Sequence, residues 1–229
     1  MIELHARKAQ ALFFTKELEK SAAESAKAVE IYYKIREDEE LDTDYYISMA
    51  HFYDAKVYGE KGRALPIRVN DGQKVLAQDL DDKAEFLLKA QESYVRVLKI
   101  ANRQFATMAG YEIGLMYEDF YIQIVNAQMP NELALDPLAQ QIYREELQKE
   151  MKVLLEKALR IYEKNVLLGE RVGLQNDFVK QSKLHLDAIR ALLTTPIAPA
   201  PASQPTEETP TKKPGKKPKK GDFPAGKNG

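Results

Sequence analysis

Three times the chain writes Lys-Ala, three further residues, then Tyr: Lys27-Ala28 with Tyr32, Lys89-Ala90 with Tyr94, and Lys157-Ala158 with Tyr162. Ala and Tyr four positions apart share one helix face, so a neighbour can close on the small residue while the ring fills the space one turn on. Ala90 and Ala158 are 68 positions apart, twice 34. A small and aromatic pair recurring on a 34-residue beat predicts stacked helical hairpins, each too thin to bury its apolar face without its neighbours.

The rest of the body agrees. Eight of the eleven prolines fall after Thr195, leaving Pro66, Pro130 and Pro137 to interrupt the first 195 residues. That stretch is rich in Ala, Leu, Glu, Lys and Gln, which are helix formers. The expectation is an all-α domain over residues 1–195, a degenerate array of stacked antiparallel helical hairpins, followed by a Pro- and Lys-rich tail over residues 196–229. The tail has no apolar periodicity and is expected to be disordered. It carries seven Lys against three acids, while the body holds 27 basic and 32 acidic residues. Cysteine is absent, which excludes disulfides, thiolate metal sites and cysteine nucleophiles. No apolar run reaches the length of a membrane span, and the charged start, Met1-Ile2-Glu3-Leu4-His5-Ala6-Arg7-Lys8, lacks the form of a secretory signal.

Along the chain, a first helical region is expected over Ile2 to Glu37, broken near Lys20 to Ser25, with Ala22, Ala26, Val29 and Tyr33 on one face. A second runs from Asp44 to Tyr58 and is stopped by Gly59 and Gly62. Lys61 to Gln73 reads as a loop, because Leu65-Pro66-Ile67 cannot lie mid-helix and Asn70-Asp71-Gly72 is a turn signal. A helix from Lys74 or Asp79 to Ala101 follows. The next, Arg103 to Gln128, ends at Met129-Pro130. It is apolar on two sides: Phe105, Ala109, Ile113, Met116, Phe120 and Ile124 form one face, and Ala106, Gly110, Gly114, Tyr117 and Tyr121 the other. Gly110 and Gly114 are read as admitting another helix backbone. Asp136-Pro137 opens a long helix to about Leu168, with the stripe Tyr143, Leu147, Met151, Leu154, Ala158, Ile161. Gly169 and Gly173 flank a turn or kink. A closing helix carries Val179, Ser182, Leu186, Ile189 and Leu193.

These residues resemble the tetratricopeptide family. Its first helices carry a small residue three before an aromatic, as Gly114 and Tyr117 do, and its second helices carry Ala with an aromatic four later, as at Ala90 and Tyr94 or Ala158 and Tyr162. No Trp marks a first helix and the helix before Pro130 is long for the family, so the repeats look degenerate or stretched. The order of landmarks from about residue 25 to 194 is similar to the C-terminal part of large tetratricopeptide proteins of the deltaproteobacterial cell envelope, including the gliding-motility type. That resemblance implies an exported, non-catalytic interaction scaffold with a signal peptide and more repeats upstream, neither of which this sequence contains. A complete chain starting at Met1 would be cytoplasmic; a piece of an exported protein would be periplasmic or envelope-associated.

Catalytic and metal patterns are not apparent. His5, His51 and His185 lack a Glu three residues earlier, so the carboxylate-bundle metal pattern is missing. His51 and Asp54 read as a hydrogen-bonded pair on a helix surface. Asp79, Asp81 and Asp82 read as acids at a helix N-terminus; a calcium loop would need Gly and Glu where Ala84 and Ala90 stand. Neither a cofactor nor a metal is expected. The chain is expected to bind proteins. Tyr45, Tyr46, Tyr53 and Tyr58 are the candidate partner-binding stripe, with packing between repeats as the competing explanation. The acidic body favours a basic or amphipathic ligand. Lys212, Lys213, Lys216, Lys217, Lys219 and Lys220 are candidate electrostatic contacts to an anionic surface or acidic partner, a second function in which the helices are a spacer. Nucleic acid is not expected, since Phe223 is the lone aromatic among them.

Overall fold

The computed structural model describes residues 1–36 and 44–194, and among these every regular element is helical. The helices are α1 (Ile2–Phe14), α2 (Leu18–Arg36), α3 (Asp44–Ala64), α4 (Gln73–Ile100), α5 (Arg103–Val125), α6 (Pro137–Val172) and α7 (Asp177–Thr194), with 3-10 turns at Val69–Asp71 and Asn131–Leu133. Helix α1 packs on α2, α3 on α4, and α5 on α6, and α7 closes the series against α6. The first helices also touch in the order α1, α3, α5, α7, and each second helix touches the first helix that follows it. Among the described residues, helices α2, α4 and α6 make no extended contact with one another. The fold is a stack of antiparallel helical hairpins. The expected tail at residues 196–229, with its candidate lysines 212–220, lies outside the described residues.

The repeated sequence marks the second helix of every hairpin. Ala28 and Tyr32 lie on α2, Ala90 and Tyr94 on α4, and Ala158 and Tyr162 on α6, and all six are buried. The 34-residue beat, however, is not the hairpin period. Each hairpin carries one copy, and successive Ala positions are 62 and 68 residues apart. The helices are simply long: α4 has 28 residues and α6 has 36.

Helix α3 lies against α1, α2, α4 and α5, and its middle turns, Ile47 to Phe52 above all, are buried on every side. It does not stop at Gly59 and Gly62 but runs to Ala64, where Leu65-Pro66 ends it. Gly62 is a packing requirement: a Cβ there would fall 2.9 Å from Phe86 Cβ of α4. At Gly59 a Cβ would meet nothing within 4 Å. Glycine inside a helix costs about 1 kcal/mol relative to Ala, so contact leaves Gly59 unexplained.

The first break falls at Thr15–Glu17, not at Lys20 to Ser25. There the Lys16 N–H donates to the Phe13 carbonyl and the Glu17 N–H to the Leu12 carbonyl, the paired closure of a Schellman motif. Lys16 takes the left-handed conformation, φ 62°, in the place glycine usually fills. Consequently the buried face of α2 is Ser21, Ser25, Ala28 and Tyr32; Ala26 and Tyr33 of the expected face are exposed.

Gly110 and Gly114 do mark a close approach, but of side chains rather than backbone. A Cβ at Gly114 would fall 2.5 Å from Tyr162 Cε1, and one at Gly110 would fall 2.7 Å from Asn165 Cγ. The two glycines are seats on α5 for the Tyr162 ring and the Asn165 amide of α6. Helix α5 ends at Val125, short of Met129-Pro130. Asp136 caps α6 through Leu138 N and Ala139 N, with Pro137 in its first turn, as the sequence predicts. The buried stripe of α6 is Leu155, Ala158, Tyr162, Asn165 and Gly169; the expected Tyr143, Leu147, Met151, Leu154 and Ile161 are half-buried. Gly169 lies within α6 against Val179, and Gly173 closes it at φ 66°. Val179, Ser182, Leu186 and Ile189 of α7 are buried as expected.

Candidate functional site

The four candidate tyrosines do not form one stripe. Tyr53 is core: its ring packs on Phe13 and Phe52, and its hydroxyl accepts from Gln10 Nε2 at 2.7 Å. Tyr46 is half-buried, with Arg7 stacked on its ring and donating to its hydroxyl. Tyr45 is the most exposed of the four, its ring edge-on to Tyr46 and Phe105. Tyr58 lies elsewhere, beside Phe86 of α4.

What joins the first helices is a ladder of charge. Lys16 pairs with Glu60 of α3 at 2.9 Å, Arg63 bridges Glu60 and Asp119 of α5, and Lys56 pairs with Glu112 of α5 at 2.8 Å. On α7, His185 meets Glu118 of α5 at 2.7 Å, and the same carboxylate oxygen accepts from the Tyr162 hydroxyl. Tyr111 packs against Phe178, His185 and Tyr162 beside this pair. Burial, with the negative Glu118 next to it, pushes the Tyr162 hydroxyl far above its ordinary range, so it stays a proton donor. No sequence pattern pairs the residues of this ladder with one another, because long-range ion pairs leave no local pattern.

A cavity of about 40 Å³ lies where the ends of α3 and α5 meet the middle of α4. Tyr58, Leu87, Met116 and Phe120 supply apolar wall, Gly59 and Gly62 lie along α3, and Arg63, Lys83, Asp119 and Gln123 supply polar groups. Lys83 is buried. Its ammonium donates to the Gly62 carbonyl at 2.9 Å, near the end of α3, where that oxygen also accepts the Leu65 N–H, and to Gln123 Oε1 at 2.7 Å. Among the described residues no carboxylate lies within ion-pair distance of it. The partner that helix spacing offers, Asp79 one turn earlier, is engaged by Arg68 through the backbone N–H, Nε and Nη2. Burial accordingly lowers the Lys83 pKa. An open cleft of about 440 Å³, lined by Leu65 to Arg68 and the segment after α5, shares Gln123 with this cavity.

Three other expectations change. His51 is not on a helix surface: it is 2% exposed, its Nε2 has no hydrogen-bond partner, and burial lowers its pKa to about 4. Asp54 accepts from Ser93 Oγ instead, and burial raises its pKa. Helix α4 starts at Gln73, so Asp79 is beyond its first turn and serves as the anchor of Arg68 rather than as an N-terminal acid. Among the described residues no group of three His, Asp or Glu side chains is arranged to hold a metal ion, and no helix is long and apolar enough to cross a membrane. Comparison with known protein families, curated proteins and solved structures finds no match to this chain.

Proposed function

We propose that this chain is a non-catalytic interaction scaffold, a stretched relative of the tetratricopeptide proteins whose first helices receive a segment of a partner protein. One observation carries the reading: α1, α3, α5 and α7 touch in series, so the first helices of all three hairpins and the closing helix form one row. Arg7 with Tyr46, Lys16 with Glu60 and Arg63, and Tyr111 with His185 supply that row with aromatic and charged contacts in series. A partner segment laid across them meets rigid anchors, because each side chain is already held by a neighbour. The acidic body suits a basic or amphipathic segment. Membership of a cell-envelope assembly is part of the same proposal and rests on the order of sequence landmarks.

The test compares partner capture by the full chain, by a chain ending at Thr195, and by a full chain carrying Arg7→Glu and Tyr46→Ala, at low and moderate salt. The scaffold reading expects the shortened chain to retain the partners and the face variant to lose them. Loss on removal of residues 196–229 alone would replace the scaffold with an electrostatic tether.

A further inference from the structure

We propose that the cavity between α3, α4 and α5 binds a carboxylate, received by the ammonium of Lys83. An ammonium has three protons, and two of them go to Gly62 O and Gln123 Oε1. Both acceptors are neutral, so the buried cation touches no carboxylate, and Asp79, whose charge reaches it only from beyond contact, is held by Arg68. Arg63, the other cation lining the cavity, is already shared between Glu60 and Asp119. A carboxylate beside Lys83 takes the remaining proton and neutralises the charge.

Size and walls narrow the ligand. At about 10–15 Å³ of probe-occupied volume per water, a cavity of 40 Å³ holds the equivalent of three waters, the bulk of a carboxylate and one carbon. Tyr58, Leu87, Met116 and Phe120 continue it with apolar surface, which suits a short aliphatic stem. A phosphate dianion fits less well, because one ammonium cannot balance it and Asp119 also lines the space. Gly59 also lines the cavity, and a Cβ there would meet nothing within 4 Å.

The carboxylate has two possible sources, a free short-chain acid or a Glu side chain of a peptide, and the experiment has an arm for each. The full chain is melted in sodium butyrate, and separately with an N-acetylated, C-amidated apolar peptide bearing one Glu, each against sodium chloride at matched ionic strength. At a ligand concentration about ten times Kd, Tm rises by about 3–6 °C in the arm that binds. Lys83→Met abolishes the rise. Gly59→Leu, which leaves Lys83 and its two acceptors intact, also abolishes it and keeps the test valid if Lys83→Met does not fold. No rise in either arm overturns the proposal, as does an equal rise in Gly59→Leu.

Discussion

The first and third hairpins solve the same problem with different chemistry. Both must bring a second helix with an Ala and Tyr pair against its first helix. In the first hairpin the contact is made by small residues, Ala6 and Ala9 against Ser21, Ser25 and Ala28, and Ser21 Oγ donates to the Ala9 carbonyl at 2.8 Å. Its long-range fastening is one carboxylate: Glu24 accepts from His5, Lys8 and Lys27. In the third hairpin the first helix is hollowed by Gly110 and Gly114, and α6 fills the hollows with Asn165 and Tyr162. Asn165 then donates to the Thr107 carbonyl and to Ser182 of α7, so one amide ties three helices. The third seam depends on shape and neutral hydrogen bonds, and the first on a buried carboxylate whose lysine partners are exposed. Buried shape is the more costly to disturb.

That difference ranks the expected effects. Gly114→Leu drives a branched side chain into the Tyr162 ring and should lower stability by about 3 kcal/mol, roughly 6–12 °C in Tm for a chain of this size. An unchanged melting temperature would remove the seat from the account. Asn165→Leu keeps the volume but removes the second donor to the Thr107 carbonyl and the donor to the Ser182 hydroxyl, for a loss of about 2 kcal/mol by chemical denaturation. A loss equal to that of an exposed surface change would mean the amide is incidental.

The first seam should respond to pH instead. Hydrogen bonds from His5, Lys8 and Lys27 hold the Glu24 carboxyl at about 2, below its ordinary 4.5. A carboxyl whose folded pKa is depressed contributes stability above its unfolded pKa and loses it as pH falls through the folded one. The contribution of Glu24 is therefore complete above about pH 4.5 and is lost between there and about pH 2. Glu24→Gln should cost about 1 kcal/mol at neutral pH and nothing further below pH 2. A gap between the variant and the parent that persists in acid would assign the loss to packing. The smallest effect has the opposite sign. Lys16→Gly relieves a left-handed backbone, gives up an exposed ion pair with Glu60, and should raise stability by less than about 1 kcal/mol.

The two seams were unequally legible in the sequence. Gly110, Gly114, Ala158 and Tyr162 stand at helical spacing, and that local pattern foretold their burial. The partner of each glycine did not follow, because helical spacing gives the face and leaves the register across the seam open. The break between α1 and α2 was hidden for a different reason. Neither Gly nor Pro marks it, and a lysine takes the backbone conformation that glycine usually signals. The long helices were partly hidden too: Gly59 and Gly62 read as a stop in α3, yet α4 packs over one and a cavity borders the other. The face of the first helices could be expected from the hairpin order, but not its rungs. Lys16 meets Glu60 and Lys56 meets Glu112 across more than forty residues. Lys83 was invisible for the same reason, since its isolation depends on Arg68 taking Asp79.

The seating of Tyr162 on Gly114 is the most exposed point of the account, and a double-mutant cycle measures it directly. Stability is determined for the parent, Gly114→Leu, Tyr162→Ala and the double variant. Strong non-additivity, of about 2 kcal/mol, is expected, because once the ring is gone the added leucine has a hollow to fill. Losses that simply add would mean that the two residues do not meet, and that the Ala and Tyr pair of α6 faces something other than its own first helix.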